Sequence, residues 1–145
     1  MAIAKMTVPE LERFLRAEFP QAFSGEDLLI EAADGVSCRL RQRYGEQMLR
    51  PGGTISGPTL MALADCAMYV VLLSAIGPVG LAVTTSLNIN FLRKGAPGQD
   101  VLAGARILKL GRRLAVGEVN LFSGDLPDPI AHVTVTYSIP NTQRF

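Results

Sequence analysis

Between Arg50 and Arg93 the chain runs for 42 residues with a single charged side chain, Asp65. Leu60, Met61, Leu63, Ala64, Ala67, Met68 and Val70 surround it at spacings that cover nearly every side of a helix, the pattern of a buried one. An unpaired carboxylate in such a segment costs several kcal/mol. Asp65 therefore either reaches a polar rim, where it caps a neighbouring backbone, or is kept for its chemistry. A base or nucleophile must be ionised, whereas burial favours the neutral acid, so nearby donors are required. Eight residues earlier, Ser56-Gly57-Pro58 reads as the start of the same helix, with Pro58 in the first turn and Ser56 or Gly57 as cap. Free N–H groups and the positive dipole end there suit a developing oxyanion. Pro58 has no N–H, which leaves Gly57 and Thr59 as donors, and Gly57 lets a ligand approach the backbone closely. Eight residues at 1.5 Å each place Gly57 and Asp65 about 12 Å apart. A site assembled between two copies of the chain would close that gap.

Other polar residues offer less. His132 is the one histidine, so a catalytic triad or a His-rich metal site would have to use it. Alternation puts it on the polar face of the last strand, as an ordinary surface or interface residue. Cys38 and Cys66 lie 28 apart, which is neither a metal nor a redox spacing and points to a reducing compartment. Arg112 and Arg113, with Lys109, form a basic turn that is either a solvated hairpin tip or a grip for phosphates. Arg93 and Lys94 are a weaker case. Asn88 and Asn90 point one way on a strand, toward a ligand or an interface. No P-loop or GxGxxG segment occurs.

The elements that must position these groups follow from pattern. Thr7-Val8-Pro9-Glu10 fits a capping box, and Leu11, Phe14 and Leu15 give the following helix an apolar stripe, ended by Pro20 and Ser24-Gly25. Segments 28–33 and 36–44 flank Asp34-Gly35 as a hairpin with a type I′ turn, with Val36, Cys38 and Leu40 facing inward. The long helix covers 58–76 and stops at Gly77-Pro78. Strands are expected at 81–92, 101–109, 114–122 and 131–139. In the first of these Leu81, Val83, Leu87, Ile89 and Phe91 take one face, and Thr84, Ser86, Asn88 and Asn90 the other. Short connections imply antiparallel pairing. The fold class is α+β: one long apolar helix inside a curved antiparallel sheet of about six strands. No linker divides the chain. It reads as a single domain over 1–145, with an N-terminal helical segment at 1–24 and a core at 28–140.

Size and composition agree. The chain has 145 residues, 48% of them apolar and 19% charged, enough for a core without disulfides and unlike a disordered protein. Net charge is +1 and Trp is absent, which removes a bulk pull toward nucleic acid or anionic membrane and a base-stacking platform. Residues 1–72 hold 7 basic and 9 acidic side chains, and residues 73–145 hold 7 and 4. The basic C-terminal half suits a small anionic ligand. The uncharged stretch 67–83 is interrupted by Ser74, Gly77, Pro78 and Gly80, and reads as a buried helix and a strand rather than a membrane span. The start carries no long apolar signal core, so a cytoplasmic protein is expected.

The segment Ser56-Gly57-Pro58-Thr59-Leu60-Met61-Ala62-Leu63-Ala64-Asp65 resembles the helix start of hotdog-fold thioesterases, above all the PaaI-like ones. Asn88-Ile89-Asn90-Phe91-Leu92-Arg93, Gly111-Arg112-Arg113, Ala131-His132-Val133-Thr134 and Thr136-Tyr137-Ser138-Ile139-Pro140 are similar too. The likeness covers roughly 28–140 and rests on the order and spacing of these segments. It implies a hotdog fold, dimers that often pair into tetramers, and hydrolysis of acyl-CoA thioesters with no metal or organic cofactor. It puts Asp65 on the family's catalytic acid and Gly57 on the glycine whose N–H polarises the thioester carbonyl. Ser56, Thr59, Asn88, Asn90, Arg112 and Arg113 are the expected substrate contacts. Three positions depart from the pattern: Ser56 stands for the usual His, Pro58 for a second Gly, and Arg50 for a frequent Asn. The alternative is a catalytically silent hotdog protein that binds acyl-CoA or another apolar ligand.

Overall fold

The computed structural model describes residues 4–140. Helix α1 (Val8–Glu18) opens with the expected capping box: Glu10 N–H donates to Thr7 Oγ1 at 3.3 Å, and Thr7 N–H donates to Glu10 Oε1 at 2.8 Å. Pro20 does more than end this helix. Its fixed φ suits a first turn, and it opens a short second one, α2 (Pro20–Phe23). Leu11, Leu15 and Phe23 are buried, so both helices pack on the domain.

Strands β1 (Leu28–Ala33) and β2 (Ser37–Gln42) form the expected hairpin with a different turn. Type I′ needs positive φ at both central residues, and here Gly35 alone has it, at 90°. The Asp34 carboxylate instead accepts from Val36 N–H at 2.9 Å and Ser37 N–H at 2.7 Å. The wider connection leaves Val36 outside β2 and 46% exposed rather than facing the core.

Helix α3 (Gly57–Ile76) is followed by β3 (Val83–Phe91), β4 (Val101–Leu110), β5 (Leu114–Ser123) and β6 (Ala131–Ser138). The six strands form one antiparallel sheet in the order β1-β2-β4-β5-β6-β3. The sheet wraps α3, which is the hotdog arrangement. By length and composition α3 could cross a membrane, yet 12 of its 20 residues are buried within the domain. At Gly117 the sheet approaches so closely that a Cβ there would collide with Met68 Sδ and the Arg106 carbonyl.

The outer face of the sheet is polar. Glu118 lies between Arg106 Nη2 at 2.6 Å and His132 Nε2 at 3.0 Å. These two partners, His132 first, hold its carboxyl below the usual glutamate range. His132 is thus an outer-face residue, as alternation suggested.

Candidate active site

The start of α3 is a capped turn. Ser56 Oγ accepts from Thr59 N–H at 3.2 Å and lies 2.8 Å from Thr59 Oγ1. The Thr59 N–H, one of two donors read from the sequence, is therefore taken by the cap. Pro58 has none to give. The Gly57 N–H has no partner among the described residues. Gly57 lies against the ring of Phe91, whose Cζ would be 3.2 Å from a Cβ at this position. Any larger residue would have to push that ring aside.

Two turns on, Asp65 is half-buried. It sits in a stripe with Pro58, Met61 and Ala62, the exposed positions of this helix half. Thr84 Oγ1 donates to Asp65 Oδ1 at 2.5 Å, and the Tyr137 hydroxyl lies 3.1 Å from the same oxygen and 3.2 Å from the Asp65 carbonyl. Asp65 Oδ2 accepts no bond from the described residues. One carboxylate oxygen is anchored and the other is open. Burial pushes the Tyr137 phenol up, so it stays protonated and remains a donor. Its ring stacks on Tyr69 with centroids 5.9 Å apart, and the Tyr69 hydroxyl donates to the Gly80 carbonyl at 3.1 Å. The adjacent Cys66 thiol is pushed up to about 12, by burial first and by Asp65 second. It is a packing group rather than a nucleophile.

Thr84 is the site residue that simple alternation places wrongly. Strand parity assigns it to the outer face with Ser86, Asn88 and Asn90. In the β3–β6 register Thr84 pairs with Tyr137 and Ser86 with Thr136, so Thr85 is an extra residue. That bulge reverses the facing of everything before it. Thr84 turns inward to Asp65, and Val83 turns outward, 56% exposed. The available signal was the Thr84-Thr85-Ser86 run, which has no apolar residue to pin its register.

The remaining candidates lie elsewhere. Asn88 and Asn90 pair with Thr134 and His132 on the outer face, so the sheet separates them from Asp65. Arg112 and Arg113 lie exposed in the β4–β5 connection and form no ion pair among the described residues. Arg50, also exposed, lies in the turn before α3.

Residues 52–130 match the model of the thioesterase superfamily. The chain belongs to the thioesterase superfamily. The matched stretch runs from the turn before α3 through β5 and holds Gly57, Asp65 and Thr84, while Tyr137 follows it. A candidate thioesterase from Silicibacter sp. TM1040 is 44% identical, with 94% of each chain covered and a TM-score of 0.86. Two further solved structures share the fold. A Streptococcus mutans protein bound to acetyl-CoA is 22% identical over 82% of this chain and 93% of its own, at TM-score 0.73. Escherichia coli PaaI is 21% identical over 90% of both chains, at TM-score 0.70. No curated protein matches this superfamily member.

Proposed function

We propose that this thioesterase-superfamily protein hydrolyses acyl-CoA thioesters. The observation that carries the reading is the Asp65 carboxylate: one oxygen is held by Thr84 and Tyr137, and the other is open on the exposed stripe of α3. Asp65 takes a proton from water as the water oxygen attacks the thioester carbon. Alternatively its free oxygen attacks directly, and water then hydrolyses the mixed anhydride. In either case the C–S bond breaks and CoA leaves as the thiol after taking up a proton. The open Gly57 N–H stabilises the oxyanion. The acetyl-CoA held by the Streptococcus mutans protein supports CoA as the carrier. Arg112 and Arg113 supply cations for its phosphates.

Gly57 and Asp65 of one chain are about 12 Å apart along the helix, so they serve different sites. Strand β3 is an open sheet edge, and Val83, Phe91 and Leu92 expose 56%, 54% and 50% of their surface beside it. A second copy pairing there would cover these residues and bring its Asp65 toward this chain's Gly57. Light scattering that returns the 15.6 kDa protomer at micromolar concentration would refute the shared site.

The decisive experiment is Asp65→Asn, which keeps the shape and removes the charge. Thiol release from acyl-CoA should fall by about 10² to 10⁴. The variant should remain folded, and its melting temperature should hold or rise, because a partly buried charge has gone. Near-wild-type turnover would remove Asp65 from the chemistry. A collapsed melting temperature would make it a structural residue instead. Binding of acyl-CoA without turnover by the wild type would favour the silent binding protein.

A further inference from the structure

A cleft of about 330 Å³ opens beside the Asp65 stripe. Its floor is apolar and includes the buried side chains of Met48, Leu63 and Cys66. Three glutamines, Gln21, Gln42 and Gln47, stand around it. Ala62, exposed and small, belongs both to the cleft and to the stripe that carries Asp65. Residues three apart on a helix are surface neighbours, with Cβ atoms about 5–6 Å apart. A group that passes over Ala62 therefore runs from the Asp65 carboxylate into the cleft.

The three amides keep hydrogen-bonding groups without a protein partner among the described residues. Gln42 spends one N–H on the Asp27 carbonyl at 3.3 Å, and its side-chain oxygen accepts nothing among the described residues. The Gln47 amide packs on Gly45 so tightly that a Cβ there would collide with it. No side-chain hydrogen bond of Gln21 or Gln47 occurs among the described residues. None of the lining residues is an acid, a lysine or an arginine.

The N-terminal segment builds much of the cleft wall. Gln21, Gln42, Gln47 and Met48 fall before residue 52, where the family match begins. Helix α2 brings Gln21 and Ala22 to the wall. Phe19 anchors that helix edge-on to Tyr69 at 6.3 Å, and Arg16 donates to the Phe23 carbonyl at 3.1 Å. The N-terminal helices are thereby part of a pocket wall.

We infer that this cleft receives the far end of the acyl group, and that it selects a medium-length acyl chain with a neutral hydroxyl or keto group at its tip. The inference rests on the thioesterase reading and deepens it. The volume of about 330 Å³ leaves room for the distal methylenes and the tip. The apolar floor takes the methylenes, and the glutamines take the tip as donors or acceptors. A terminal carboxylate would enter without a counter-ion and is disfavoured.

The test uses non-hydrolysable thioether analogues of CoA, so it reads binding apart from turnover. Calorimetry compares chains that mimic octanoyl, 8-hydroxyoctanoyl and octanedioyl groups. The hydroxylated chain should bind about tenfold more tightly than the plain one, and the dicarboxylic chain most weakly. Gln42→Leu with Gln47→Leu should abolish or invert the preference. Ala22→Trp should weaken both neutral chains by filling the cleft. Acetyl-CoA hydrolysis should survive in both variants, because the short acyl group does not reach the cleft. Equal affinities in the wild type, or a preference untouched by both variants, would overturn the inference. Acetyl-CoA turnover alongside equal affinities would sink the cleft and spare the thioesterase reading. The preference without turnover of any thioester would do the reverse.

Discussion

Thr84→Val isolates the hydrogen bond that the β3 bulge creates. Valine matches threonine in shape, so the change replaces one hydroxyl by a methyl group. The lost interaction is a 2.5 Å bond to a carboxylate oxygen. Hydrogen bonds to charged groups contribute about 1.5–3 kcal/mol. At about 1.36 kcal/mol per factor of ten, full expression of that loss in the transition state lowers kcat by about 10- to 150-fold. Tyr137 still holds the same oxygen at 3.1 Å, so the lower part of that range is expected. Thr84 bonds to Asp65 and to neither Arg112 nor Arg113, the proposed phosphate contacts, so KM should change by less than about threefold. The assay is initial-rate thiol release from acetyl- and octanoyl-CoA, with circular dichroism to verify folding. Thr84→Ser retains the hydroxyl and should restore most of the rate. A folded Thr84→Val enzyme with kcat close to wild type would refute the argument that this bond orients Asp65. A serine variant as slow as the valine one would refute it equally.

Three other outcomes follow from the same geometry. The Arg112→Ala/Arg113→Ala double variant should raise KM for acyl-CoA more than it lowers kcat, and wild-type KM should rise with salt while the variant's rises less; an unchanged KM returns this connection to a solvated tip. The carboxyl of Glu118 is held below its ordinary value of 4.5 by His132 and Arg106, so its stabilisation is present above that value and is lost as pH falls through the folded value. Melting temperature should therefore drop as pH is lowered below about 4.5, and the drop should be shallower in Glu118→Gln; identical slopes would show that the pair carries no stability. Gly117→Ala drives a Cβ into Met68 and the Arg106 carbonyl and should destabilise by about 1–3 kcal/mol, whereas Gly104→Ala meets open space and should cost far less; equal unfolding midpoints in urea would refute the close approach at Gly117.

Much of this protein is legible in its residues. The capping box at Thr7, the helix that begins at Ser56 and stops at Gly77, and the six strands all follow from local signals: a cap, an apolar period and a turn residue. The long uncharged window around Asp65 marks that residue because a carboxylate is costly wherever the chain is otherwise apolar. The likeness of its helix start to hotdog thioesterases points to the family from the residues alone. What local pattern could not supply was Thr84. Alternation assumes that each strand residue has one partner, and the extra residue Thr85 breaks that rule. A bulge is decided by the pairing of two strands about 50 residues apart, together with the packing of β6 on α3, and neither acts within a short window of sequence. The same holds for Tyr137 and for the cleft under α2. Tyr137 reaches Asp65 because β6 crosses the helix beside it, and the three glutamines meet because α2, β2 and the turn after it converge. Side-chain types and local periods thus determined the elements and the candidate carboxylate. Which oxygen of Asp65 is anchored, and which is left open, was decided by contacts that exist once the sheet has closed around the helix.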